Sequence, residues 1–381
     1  MKRCPGKTSG NQESSFRVFR GGKSVGNSLS RSSQSSGLGR PVQFLNSQRS
    51  EEALDNSQTA NAIKESPRIR HILSVDVEDY FQVEAFSNEV RRRTWGDWPS
   101  RVVENTRKIL NLFERHDVKG TFFFLGWVAN RFPSLVREVQ AQGHELACHS
   151  YWHRRVCSLP PSEFREDVRI SKDAIEQAAG VPVYGYRAPS WSINKDSLWA
   201  LDILAEEGFR YDSSIYPIRH DLYGFPDAPR FAYVYQCRNG RELTEIPPPT
   251  VRIAGFNFPA AGGGYFRIFP FLYTEWVFQT FEQHYRKPVV TYFHPWEVDP
   301  EQPRIPAGLK SSFRHYTNLG LVEKRLGVLL QKHLFQPIAT ALEAGDLCPS
   351  AVKRKAVSME HRSFPVAPAV FPAEQTEGSK G

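Results

Sequence analysis

Short apolar runs that alternate with helix-length amphipathic segments constrain this chain more than any other feature. HILSVDV (His71–Val77), TFFFL (Thr121–Leu125), Leu146–His149, Tyr184–Arg187 and Phe209–Asp212 read as buried strands. Between the first two, Val102, Thr106, Ile109, Leu110 and Phe113 recur at helical spacing, and His116–Gly120 ends that helix. Pro133 opens a second helix that runs to Gln142 with Gly143 as its cap, and Ser162–Ala179 and Lys195–Glu207 supply two more. Such alternation predicts a parallel sheet with right-handed crossovers. The later part is less regular: Leu243–Ile246 and Arg252–Phe258 are expected as strands, Phe271–His284 as a helix, and VVTYF (Val289–Phe293) as a last buried strand. No Gly-rich phosphate loop follows the first strand, so a closed or nearly closed β/α barrel is expected rather than a doubly wound sheet.

Charge and composition divide the chain. Of its 381 residues and formal charge of +8, residues 1–70 hold 12 Lys/Arg against 5 Asp/Glu and residues 352–381 hold 5 against 3. Residues 71–351 are therefore near neutral, which argues against a nucleic-acid-binding domain, since such a domain carries its positive patch on the folded surface. The first 66 residues contain 14 serines and few aromatics. They are expected to form a disordered tail (1–67), or to reflect an over-long start, and 352–381 a flexible one. The part between is expected to divide into a barrel core (68–225) and an extension (226–351) that completes the barrel.

Five scattered cysteines with no CxxC pair exclude a zinc ribbon and make a disulfide framework improbable. The basic N-terminus has no apolar stretch behind it, and the densest apolar run, Phe122–Ala129, is far short of the ~20 residues of a membrane span. These features predict a soluble, cytoplasmic protein, with peripheral membrane association left open and the oligomeric state undetermined.

The chemistry-bearing residues cluster at predicted strand C-termini. The first strand delivers Asp76, Glu78 and Asp79; later ones deliver His149 and His153, Arg187 and Trp191, Asp212, and finally His294, Trp296 and Glu297. In a β/α barrel those ends share one face, and that face holds the active site. Taken singly each has a bland alternative. A carboxylate of VDVED could cap the next helix, a lone histidine after a strand is often structural, and RAPSW could be an ordinary turn. Taken together they supply one chemistry. One acidic ligand and two histidines leave an open position on zinc for water. A second carboxylate can take the proton from that water, a further histidine can protonate a leaving amine, and an arginine can orient the base. Trp191 and Trp296 are candidates for faces that receive a sugar ring.

In this order VDVED, HSYWH, RAPSW, YDSS and the strand ending in His294 resemble the motifs of the NodB-type polysaccharide deacetylases (carbohydrate esterase family four). The resemblance covers residues ~68–300. It implies a distorted, irregular β/α barrel and a divalent metal, most often zinc. It also implies removal of N-acetyl groups from an N-acetylated polysaccharide or oligosaccharide. It extends to the subfamily encoded beside exosortase-linked exopolysaccharide genes, with a C-terminal extension that here holds AGGGYFRIFP (Ala261–Pro270). Carried over, the roles would be Asp76 as base, His149 and His153 as metal ligands, Arg187 as the residue orienting the base, and His294 as acid. Where the commoner first motif has two adjacent aspartates, Val77 follows Asp76. The acidic ligand is then Glu78 or Asp79, with Glu78 favoured because side chains two apart on a strand share a face. The altered fourth motif leaves open whether Asp212 pairs with His294. Two alternatives stand beside this reading: an allantoinase-like hydrolase of small amides or cyclic ureides, and a catalytically inactive sugar-binding relative.

Overall fold

The computed structural model describes residues 68–351 apart from 221, 222 and 348; the expected tails at 1–67 and 352–381 lie outside the described residues. The first half follows the alternation closely. Strands β1 (Arg70–Val77), β2 (Thr121–Phe124), β3 (Glu145–Cys148), β4 (Gly185–Tyr186) and β5 (Tyr211–Asp212) are separated by helices α1 (Val102–Arg115), α2 (Gly126–Arg131), α3 (Pro133–Ala141), α4 (Pro161–Ala179) and α5 (Trp199–Glu206). α3 and α4 both begin on proline, whose missing N–H costs nothing in the first turn, and α4 ends on Gly180 at φ 73°.

The second half holds strands β6 (Tyr233–Gln236), β7 (Glu242–Glu245), β8 (Thr250–Ile253), β9 (Phe256–Pro259), β10 (Val290–Phe293), β11 (Leu334–Gln336) and β12 (Ser350–Ala351). Its helices are α6 (Gly263–Ile268), α7 (Phe271–Thr280), α8 (Leu309–Tyr316), α9 (Val322–Lys332) and α10 (Ile338–Glu343). Two expectations change here. The single strand expected at Arg252–Phe258 is an antiparallel hairpin, because Ala254 and Gly255, at φ 48° and 85°, turn the chain back on itself. The helix expected at Phe271–His284 is α-helical only to Thr280 and then widens into a π-helical turn over Phe281–Tyr285.

The main sheet runs β10-β1-β2-β3-β4-β5-β7-β6-β12, with β11 also beside β1, and every pairing is parallel except β6 with β7. β2 shows why its strands read as unbroken apolar runs. Phe122 and Phe124 face one buried cluster under the helices, while Phe123 faces a second cluster on the other side. That inner cluster joins Ile72, Ala147, Tyr211 and Val290 from β1, β3, β5 and β10 to Ala232 and Ile246 near the opposite end of the sheet. The sheet therefore curls around an interior core as a distorted barrel. Among the described residues no strand pairing joins β10 to β12 and closes it.

Register aligns the functional end. Val75 pairs with Phe293, which sets Asp76 level with His294 on the neighbouring strand. Cys148 pairs with Tyr186 and Tyr186 with Asp212, so His149, Arg187 and Ser213 follow at the same level.

Candidate active site

Glu78, His149 and His153 are all buried, and one donor atom from each lies within 4.8 Å of the others. Local structure fixes each one. His149 leaves β3 and donates from Nδ1 to the Arg187 carbonyl at 2.8 Å, so the proton sits on Nδ1 and Nε2 keeps a free lone pair. His153 is reached through a loop with Ser150 and His153 at φ 69° and 49°. That strain is held by Asp167 of α4, which accepts from Ser150 Oγ at 2.5 Å and the Tyr151 N–H at 2.8 Å. Arg92 clamps the same loop, donating to the carbonyl oxygens of Trp152 and His153. Glu78 receives the Trp296 indole N–H on Oε1 at 3.1 Å. Its Oε2 is 2.8 Å from His153 Nε2, and that buried oxygen has no hydrogen-bond partner. A buried carboxylate oxygen without a hydrogen bond, close to two imidazole side chains, is the kind of donor set a cation takes. The residues thus fit a divalent ion, and two nitrogens with one oxygen suit zinc. Burial works against the charge on Glu78, but the adjacent His153 and the further histidines outweigh it and hold the carboxyl down to about 2. Burial foremost, with the neighbouring His153 and against the pull of Asp76 and Glu78, pushes His149 down to about 4, which keeps the imidazole neutral.

Asp79 corrects the alternative ligand. Its carboxylate turns away and accepts the backbone N–H groups of Arg101 and Val102 at 3.0 and 3.3 Å, so it caps the start of α1. Burial raises it to about 6.

Asp76 and His294 stand beside the three donors. Arg187 Nη1 donates to Asp76 Oδ1 at 2.6 Å and to Ser74 Oγ at 2.9 Å, while Nη2 reaches Ser213 Oγ at 3.2 Å. The guanidinium lies 4.1 Å over Phe123 and 4.8 Å over Trp191, which fixes its plane. His294 Nε2 is 3.9 Å from Asp76 and 3.8 Å from Glu78, and its Nδ1 is 3.6 Å from Glu297. Although burial disfavours its charge, Glu297 foremost raises His294 to about 9. Arg267 of α6 holds Glu297 in turn, at 2.9 Å.

Three expected substrate contacts are placed differently. Trp191 is buried behind Arg187 and packs its ring 4.9 Å from Tyr292. Trp296 is stacked between His294 and His315 at 5.1 and 4.1 Å, so neither of its faces is open to a sugar. Asp212 is fully buried, accepts from Ser214 Oγ at 2.5 Å and interacts with the carboxyl of Glu245. Burial, with Asp212 beside it, pushes Glu245 well above the usual carboxylate range. Asp212 is therefore not the partner of His294. Glu297 takes that place, and its position three residues after a strand-terminal histidine was the only signal in the sequence. Asp167 and Arg267 left no local signal, because each acts on a residue distant in sequence.

Residues 92–211 match the family model described as polysaccharide deacetylase, and residues 213–343 match one described as a domain of unknown function (DUF3473). A bifunctional xylanase/deacetylase of Pseudobutyrivibrio xylanivorans is 34% identical over 29% of this chain and 18% of its own length. A peptidoglycan-N-acetylglucosamine deacetylase of Bacillus cereus is 32% identical over 29% of this chain and 39% of its own. A chitooligosaccharide deacetylase of a Bradyrhizobium strain is 33% identical over 26% and 43%. The chain thus spans less than half the length of these curated relatives. Among the described residues no helix is long and apolar enough to cross a membrane. Residues 92–211 are thus similar to a polysaccharide deacetylase domain and hold His149, His153 and Arg187, whereas Asp76, Glu78 and His294 lie outside the matched segment.

Proposed function

We propose that this protein is a metal-dependent hydrolase that removes N-acetyl groups from amino sugars of a polysaccharide, an exopolysaccharide or its precursor. The observation that carries the reading is the meeting of a buried Glu78–His149–His153 donor set with Asp76 and His294 at its edge. Bound there, a divalent cation, zinc by its donors, supplies Lewis acidity that polarises an amide carbonyl and lowers the pKa of a water. Asp76, held by Arg187, takes a proton from the attacking water. His294, kept protonated by Glu297, gives its proton to the departing nitrogen as the acyl C–N bond breaks, so acetate and a free amino sugar result. A binding-only relative would have no use for an ordered acid and base beside a cation site.

The test is acetate release from N-acetylated oligosaccharides, with and without a chelator. Release that the chelator abolishes and zinc restores is the expected result. Release indifferent to the chelator would remove the metal from the proposal.

A further inference from the structure

The run Ala261-Gly-Gly-Gly264 has no part in the chemistry above, and the structure shows what it permits. A Cβ on Gly262 would stand 2.4 Å from Tyr292 Cδ1, and one on Gly263, at φ 50°, 2.7 Å from Tyr292 Cε2. Only glycine lets α6 close onto the face of Tyr292, the residue two before His294. Beside this contact lies a half-open cavity of ≈ 240 Å³ whose lining includes Gly264, Tyr265, Tyr223, Tyr292, His294 and the guanidinium-bearing Arg267 and Arg314. Tyr223 and Tyr265 stand half-buried, with their hydroxyls 3.1 Å apart. The volume is below the ~300–1,000 Å³ of pockets that enclose drug-sized ligands, and suits one ring. Three tyrosine rings with hydroxyl, ring-nitrogen and guanidinium groups among them match the mixed apolar and polar faces of a pyranose.

We propose that this Gly-rich run builds a subsite for a single pyranose ring, the one that bears the leaving nitrogen. The assignment of that ring rests on the deacetylase reading, because His294, which serves the nitrogen, forms part of the wall. The segment matched as a domain of unknown function would then contribute substrate specificity as well as the acid.

Gly264 offers a direct test. A Cβ there meets only Arg267 Nη2 at 3.8 Å, so Gly264→Leu can fill the cavity without straining the backbone. With an N-acetylglucosamine tetramer, Gly264→Leu and Tyr265→Ala are expected to raise KM at least tenfold, with a smaller change in kcat. The preference for the tetramer over a sugar-free aryl acetate should fall by a similar factor. Titrating the tetramer into the Asp76→Asn protein reads the subsite apart from turnover, and affinity should drop at least tenfold when Gly264→Leu or Tyr265→Ala is added. Unchanged affinity and unchanged preference in both variants would overturn the subsite. Absence of acetate release by the wild-type protein would instead sink the deacetylase reading, with the titration still deciding whether the ring binds here.

Discussion

Strand β1 carries a cluster of two histidines and one glutamate at each end. Beyond its C-terminus stand Glu78, His149 and His153; at its N-terminal end His71, Glu282 and His333 also bring three donor atoms within 4.8 Å of one another. Their hydrogen bonds differ. His71 Nδ1 accepts the Val289 N–H at 3.0 Å, so its proton must sit on Nε2, aimed at Glu282 Oε1 at 3.0 Å. His333 Nδ1 approaches the same oxygen at 2.9 Å. The Glu282 oxygen is thus spoken for by hydrogen bonds, and its side chain is 34% exposed against 2% for Glu78. At the other end the Arg187 carbonyl holds the His149 proton on Nδ1 and leaves Nε2 open, and Glu78 Oε2 lacks a hydrogen bond. Residue inventory alone does not make a metal site. The group that sets each imidazole's tautomer decides it.

Replacing one histidine from each cluster should separate them most sharply. His149→Ala is expected to purify without stoichiometric metal and to lose activity by ~100-fold or more, while His333→Ala keeps its metal on elemental analysis. Equal metal loss in His333→Ala would erase the distinction. Next in size are Asp76→Asn and His294→Ala, each expected to cost on the order of 100-fold in turnover with metal content retained. Loss of metal in either would recast that residue as a ligand.

The N-terminal cluster should show itself through stability. Burial lowers the pKa of His71 from 6.5, so the folded state binds fewer protons than the unfolded state and stability falls as pH drops below 6.5. The His71 hydrogen bond foremost lowers Glu282 from 4.5 to about 2; that contribution is present above 4.5 and is lost as pH falls toward 2. Thermal melts of the wild type should therefore decline from pH 7 to 5. His71→Gln should be less stable at pH 7, by ~1–3 kcal/mol for a broken buried hydrogen-bond network, and should decline less. A parallel decline in both proteins would show that His71 is not the titrating group.

The smallest expected effect contrasts neighbours. Asp79→Ala should lose ~0.5–2 kcal/mol of stability with its cap and keep metal and activity, whereas Glu78→Ala should lose both. Metal loss in Asp79→Ala would reverse the assignment.

The sequence by itself determined the strand–helix alternation of the first half and the placement of His149, His153, Arg187 and His294 at strand ends. Apolar periodicity is local, and a parallel topology leaves only one face for those ends. Tertiary structure decided what neighbours in sequence share. Glu78 and Asp79 are adjacent, and the choice between them came from α1, whose first N–H groups reach Asp79 from more than twenty residues away. Glu297 rather than Asp212 became the partner of His294 because Asp212 was taken by Glu245 across a strand pair. Trp191 and Trp296 were drawn inside by Arg187 and by the ring stack with His294 and His315. Partners contributed by distant elements leave no local pattern, so orientation, tautomer and charge at this site became legible only once the chain had packed.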